Sequence, residues 1–123
     1  MEIKKPDFAK ATSGKQKIKS EAIKFELFDG EKKIGRAYLY LIKNDLHKEP
    51  YGYLEDLFVE ECYRSSGFGR QLVQTVIEEA KKLGCYKLVG TSRNSRAEVH
   101  EFYRKLGFEE YGKEFRITLD KFD

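Results

Sequence analysis

The stretch Tyr53-Leu54-Glu55-Asp56-Leu57-Phe58-Val59, then Arg64-Ser65-Ser66-Gly67-Phe68-Gly69-Arg70, then a long apolar-striped segment, constrains this chain more than any other feature. The first part shows little polar alternation, as a strand buried on both faces does. The glycines allow a tight turn. After them Leu72, Val73, Val76, Ile77, Ala80 and Leu83 recur at helical spacing. A strand that passes through such a turn into a helix leaves the first helical N–H groups without partners, at the positive end of the helix dipole. That geometry binds phosphate or pyrophosphate, so the sequence points to a phosphorylated ligand or cofactor.

The flanking segments place this unit in a sheet. Ala22 to Phe28 alternates apolar and polar residues, Asp29-Gly30 supplies a turn, and Lys33 to Ile42 reads as the return strand. Asn44 to Gly52, with Pro50, is a loop. Beyond the main helix, Lys81 and Lys82 occupy the last turn and Gly84 the C′ position. Tyr86 to Thr91 reads as a short strand, and Ser95 with Glu98 as a capping box for a second helix striped by Val99, Phe102, Tyr103 and Leu106. Gly107 ends that helix, Phe108 stands at the apolar position of a Schellman motif, and Phe115 to Leu119 alternates as a final strand. The order strand, strand, strand, helix, strand, helix, strand predicts an α/β (α+β) fold with a mixed sheet. Antiparallel hairpins come early, and the helical crossover leaves its two strands parallel. Residues 1–20 are lysine-rich with little apolar periodicity and read as a basic, mobile leader; residues 21–123 form one domain.

Several functions are excluded. A chain of 123 residues is one ordinary domain that buries a core without disulfides or metals. Cys62 and Cys85 make no disulfide framework and suit a reducing cytoplasmic setting. No His/Cys/Asp cluster has metal spacing, and no apolar run approaches a membrane span. The net charge of +3, with both signs interspersed, is a solvated surface rather than a nucleic-acid footprint. No Gly-Lys-Ser/Thr follows the glycines, so the turn is not a P-loop. A dinucleotide fold wants its fingerprint after the first strand, and here three strands precede it. Ser65 and Ser66 lack a His–Asp context for nucleophilic hydrolysis.

With those alternatives removed, the chain resembles the GNAT superfamily of N-acetyltransferases over roughly residues 22–120. The family's Gln/Arg-x-x-Gly-x-Gly/Ala motif stands here as Arg64-x-x-Gly67-x-Gly69 after Val59. A second motif, the family's Phe-Tyr-x-x-x-Gly-Phe ending, is Phe102-Tyr103-x-x-Leu106-Gly107-Phe108, one helix and one strand downstream. The resemblance implies a GNAT-like sheet with a central parallel, splayed strand pair flanked by helices. Two departures stand out. Ser65 occupies a position where many members carry Gly, tolerable if its φ is negative. The N-terminal part is reduced, since members carry a further strand and two helices ahead of the hairpin. The acceptor side is then either open or completed by another chain.

The resemblance implies acetyl-CoA as cosubstrate and transfer of its acetyl group to a primary amine by direct attack in a ternary complex. Backbone N–H groups of Arg64, Ser65, Ser66, Gly67, Phe68, Gly69 and Arg70 would cradle the pyrophosphate, with charge from Arg64 or Arg70. Leu57, Phe58 and Val59 would offer backbone groups to the pantetheine arm, and Asn94 would either bond that arm or start the helix turn. Glu55 is the first choice of base for the amine and Asp56 the second; on a regular strand they face opposite sides. Tyr103 matches the family's acid for the departing thiolate, with an aromatic core residue as the plainer alternative. His100, on the same broad face of the helix, and His47, in a loop, read as structural. No metal is implied. The acceptor is a small-molecule or peptide amine, and a homodimer is expected. A non-catalytic acyl-CoA-binding sensor or interaction module would keep Arg64 to Gly69 and need neither Glu55 nor Tyr103.

Overall fold

The computed structural model describes residues 14–120. Most of the expected leader, residues 1–13, lies outside the described residues; residues 14–20 have no regular structure and are exposed.

Strands β1 (Ala22–Asp29) and β2 (Lys32–Ile42) form the expected antiparallel hairpin, turned through Gly30 at φ +61°. Strand β3 (Tyr51–Val59) returns antiparallel to β2. The chain then passes through a short 3-10 turn (Glu61–Tyr63) into α1 (Phe68–Lys82), and emerges as β4 (Leu88–Gly90), parallel to β3. Helix α2 (Ala97–Lys105) follows. The sheet runs β1-β2-β3-β4, a mixed sheet whose one parallel pair is made by the helical crossover.

The core lies between α1 and one face of the sheet. Ala37, Leu39 and Leu41 of β2, Leu54 of β3, and Val73, Val76 and Ala80 of α1 are buried together. Their spacing is the reason: alternate residues of β2 share one face, and positions three, four and seven apart share one side of α1. Burying each of Leu39, Val73 and Val76 contributes about 1.5–3 kcal/mol relative to exposure. The opposite face carries Tyr38, Tyr40, Tyr51 and Tyr53, all half-buried.

Both helices end as their glycines predict. Gly84 (φ +79°) donates to the Lys81 carbonyl and Cys85 to that of Ala80; Gly107 (φ +98°) donates to Arg104 and Phe108 to Tyr103. Each is a Schellman pair.

Three local expectations fail. Only Leu88–Gly90 of the predicted Tyr86–Thr91 strand is paired. The Ser95–Glu98 capping box does not form: Arg96 is the N-cap, with no side-chain cap, and its Nε donates to Glu98 Oε1 at 2.8 Å. An arginine that reaches the carboxylate directly removes the partner that the box requires. Phe115–Leu119 is not a strand but an exposed, unpaired segment. Alternation prepares a backbone for pairing, yet a strand exists only where a neighbouring edge accepts its hydrogen bonds.

Candidate active site

A bulge organises the carboxyl end of β3. Tyr38 pairs with Glu55 and Arg36 with Phe58, so Ala37 lies opposite both Asp56 and Leu57. Asp56 takes φ +53° to absorb the extra residue, a conformation that aspartate tolerates better than most. The bulge reverses the facing of the strand. Gly52 and Leu54 are buried before it, Val59 after it, and Leu57 packs against the core. Glu55 and Asp56 therefore do not sit on a regular strand, and both are exposed. Their partners separate them instead. Asp56 accepts from Arg36 Nε at 2.9 Å and Nη2 at 3.2 Å. That guanidinium holds the Asp56 carboxyl below its ordinary value. Glu55 has no ion pair or hydrogen bond among the described residues.

Beyond the bulge β3 has no β4 neighbour. The parallel ladder is Gly52↔Leu88, Tyr53↔Val89 and Leu54↔Gly90, and β4 stops there while β3 continues to Val59. Tyr53 and Thr91 clasp the two strands where they part, with 2.9 Å between their hydroxyl oxygens. Tyr103 of α2 reaches the same point. Its Cζ lies 4.0 Å from the position that a Cβ on Gly90 would occupy, and its ring is held edge-on by Phe102 and Phe108, at centroid separations of 5.6 and 5.2 Å. Burial, and secondarily Tyr53, raises the Tyr103 phenol above its ordinary value, which keeps its proton in place at neutral pH. The phenolic oxygen makes no hydrogen bond among the described residues.

The loop from Glu60 to Gly67 is tied down from two sides. Arg64 donates from Nε to the Val59 carbonyl at 2.7 Å and lies over the Phe58 ring at 5.4 Å. Arg36 covers the same ring at 4.8 Å. Tyr63 donates to Asp29 Oδ2 at 2.6 Å, anchoring the loop to the β1–β2 hairpin; that bond is the main reason its phenol is pushed up to about 12. Gly67 (φ +86°) is the N-cap of α1 and its carbonyl accepts from Gln71. None of the N–H groups of Ser65, Ser66, Gly67, Phe68, Gly69 and Arg70 donates to an acceptor among the described residues. They form a run of unpaired donors at the start of α1, the arrangement expected of an anion cradle.

One expectation fails here, at Ser65. Ser65 adopts φ +67°, not the negative φ that would make serine an easy replacement for glycine. Within the chain itself, a Cβ at Gly69 would make ordinary contact with Phe102 at 3.6 Å. Asn94 sits in the exposed turn before α2, where one of its two expected roles put it, and has no hydrogen bond among the described residues. His100 Nε2 lies 2.8 Å from the Arg93 carbonyl, and the His47 ring packs on Tyr86 at 4.2 Å. No group of three or more potential metal ligands gathers among the described residues. Arg36, Tyr53, Tyr63 and Thr91 escaped the sequence reading because their partners are remote in the chain.

Comparison with known proteins agrees with this geometry. Residues 5–108 match the acetyltransferase (GNAT) family. A glucosamine 6-phosphate N-acetyltransferase of Trypanosoma brucei brucei is 34% identical over 68 residues, covering 55% of this chain and 44% of that protein. An aminoglycoside N(6')-acetyltransferase of Stenotrophomonas maltophilia is 34% identical over 79 residues, covering 63% and 52%. The chain thus spans about half the length of these relatives. A solved acetyltransferase of Trypanosoma brucei superposes with TM-score 0.66 at 28% identity, covering 73% of this chain and 62% of that one. The fold is also shared with an aminoglycoside N-acetyltransferase solved with CoA, at TM-score 0.67 and 22% identity, covering 78% and 74%. The glycine turn at the start of α1, the parted parallel strands and a family match over most of the chain lead to one assignment: this protein belongs to the acetyltransferase (GNAT) family.

Proposed function

We propose that this chain is an acyltransferase that moves the acetyl group of acetyl-CoA to a primary amine. The observation that carries the reading is one continuous path. It starts at the unpaired N–H groups of Ser65 to Arg70, follows the stretch of β3 from Leu57 to Val59 that β4 leaves uncovered, and ends at Tyr103 where the strands part. The amides would hold the pyrophosphate, and Leu57, Phe58 and Val59 would pair with the amide groups of the pantetheine arm as an added strand would. Arg64 supports this site through the Val59 carbonyl, which leaves Arg70 the better placed of the two arginines for phosphate.

In the reaction a C–N bond forms and the C–S bond of the thioester breaks. Glu55, exposed and without a cation beside it among the described residues, takes the proton that the ammonium must lose. Asp56 is bound to Arg36 and serves the bulge. Tyr103 gives its phenolic proton to the departing thiolate, and its raised pKa keeps that proton available.

The relatives named for glucosamine 6-phosphate and for aminoglycosides put small amino sugars first in an acceptor screen. Two cysteines outside any disulfide support a reducing, cytoplasmic setting, and the open sheet edges support a homodimer. Calorimetric titration with acetyl-CoA, with Gly67→Glu as control, tests the cofactor; thiol release in the presence of amino sugars tests turnover. Binding abolished by the control and thiol release with an amine are expected. Folded protein that does not bind acetyl-CoA overturns the reading.

A further inference from the structure

The face of the sheet turned away from α1 carries a set of phenol rings beside Glu55. Tyr38 and Tyr40 alternate along β2, and Tyr51 and Tyr53 along β3, all half-buried. Tyr40 lies opposite Tyr53 and Tyr38 opposite Glu55, so the ring pair and the carboxylate are neighbours on one face. The two outer rings already hold an ammonium. Lys24 Nζ stands 5.8 Å from the centre of the Tyr38 ring, and Lys87 Nζ 4.8 Å from that of Tyr51. Between them, no cation among the described residues covers Tyr40 or Tyr53.

The charge around this open pair favours a cation. The basic groups beside it are held by carboxylates: Lys24 and Lys33 by Glu26, at 4.0 and 3.0 Å, and Arg36 by Asp56 at 2.9 Å. Glu55 has no such partner among the described residues. Burial raises the Tyr40 phenol above its ordinary value, and Glu55, Tyr38 and Asp56 add to the rise. A phenol ring presents a negative face, which attracts a cation and repels an anion. The bond of the Tyr53 hydroxyl to Thr91, at 2.9 Å, fixes that ring in place. Tyr53 and Glu55 are two residues apart on one strand, about 7 Å.

We propose that the acceptor is a diamine, with its far ammonium held on the faces of Tyr40 and Tyr53 while its near nitrogen reacts beside Glu55. A chain of about four or five carbons spans that separation. The near nitrogen forms the C–N bond as the C–S bond breaks, and it sheds two protons. Glu55 takes one; the other replaces, through solvent, the proton that Tyr103 gives to the thiolate. The far nitrogen stays charged throughout. An aliphatic diamine meets these requirements, as does an amino sugar with a second amino group. A sugar phosphate would set its anion against Glu55 and the negative ring faces. The inference rests on the acetyl-transfer reading and names the acceptor class of that same site.

Steady-state kinetics with acetyl-CoA tests it, comparing putrescine with butylamine, which lacks the second amino group. Calorimetric titration of putrescine into the CoA-saturated protein reads the same site without turnover, and circular dichroism confirms that the variants fold. The expected result is a kcat/KM about 10-fold higher for putrescine, carried by KM rather than kcat. Tyr40→Phe, which keeps the ring face, should retain this preference, and Tyr40→Leu should lose it together with putrescine binding. Equal kcat/KM for the two amines, or faster turnover of glucosamine 6-phosphate than of putrescine, overturns the diamine site and leaves acetyl transfer standing. Putrescine binding that Tyr40→Leu abolishes, with no thiol released by any amine, supports the diamine site and overturns the acetyl-transfer reading. Folded, CoA-saturated protein that does not bind putrescine overturns the inference.

Discussion

Arg64 donates from its Nε to the carbonyl oxygen of Val59 at 2.7 Å, closing the loop between β3 and α1 on itself. The first residue of the glycine motif is thus bonded to the last residue of the strand that the motif follows. Removing this bond loosens the donors from Ser65 to Arg70 together. Arg64→Ala should lower stability by about 1 kcal/mol, the usual value of such a bond, and weaken acetyl-CoA binding about 10-fold. Arg64→Lys should not restore it, because an ammonium offers neither the planar Nε–H nor the same packing over Phe58. Urea unfolding alongside calorimetry measures both effects; an Arg64→Lys protein equal to wild type would show that charge alone matters.

Ser65 carries backbone strain that glycine would relieve. At φ +67° a side chain costs energy that glycine avoids, partly offset by the greater unfolded-state freedom of glycine. Ser65→Gly should raise stability by about 0.5 kcal/mol, and Gly67→Ala, at φ +86°, should lower it by about 1 kcal/mol. The midpoint of urea unfolding, at unchanged m-value, reads each change directly.

Glu55 and Asp56 should separate cleanly when neutralised. Glu55→Gln should lower kcat/KM about 100-fold at neutral pH and leave acetyl-CoA affinity unchanged. Asp56→Asn should keep most of the activity and lose stability, since Arg36 loses its partner. Because Asp56 has a folded pKa below its ordinary 3.8, its contribution is present above that value and disappears as pH falls through the folded pKa. The stability gap between wild type and Asp56→Asn should therefore be full at pH 7 and shrink in strong acid. Steady-state kinetics and pH-resolved unfolding supply the two readouts.

Tyr103→Phe retains the packing against Phe102 and Phe108 and removes the proton. We expect kcat to fall about 100-fold with acetyl-CoA binding intact. The phenol is raised above 10.0, so wild type should lose stability as pH climbs through that higher folded value, while Tyr103→Phe should lack this component. A variant with unchanged kcat would reassign Tyr103 to the core.

Much of this architecture was legible along the chain because its causes are local. Gly84 and Gly107 end their helices through left-handed conformations and bonds that reach back within one helical turn. The stripe from Leu72 to Ala80 and the alternation from Ala37 to Leu41 define the two faces that meet in the core. A strand joined by a helix to the next strand leaves the pair parallel, as β3 and β4 are. These are consequences of backbone period and residue shape, which travel with the sequence itself.

What tertiary structure alone decided involves partners distant in sequence. The bulge at Asp56 arises from the register of β3 on β2, and that register chose which of two adjacent carboxylates meets Arg36. Tyr53 and Thr91 meet only because the crossover brings β4 beside β3, and Tyr103 comes close to Gly90 because α2 packs back over the same strands. Phe115 to Leu119 has the sequence of a strand and remains unpaired, since alternation determines which side chains share a face but not whether an edge is within reach. Local geometry follows from each residue and its neighbours, whereas pairing depends on where the folded chain places another backbone.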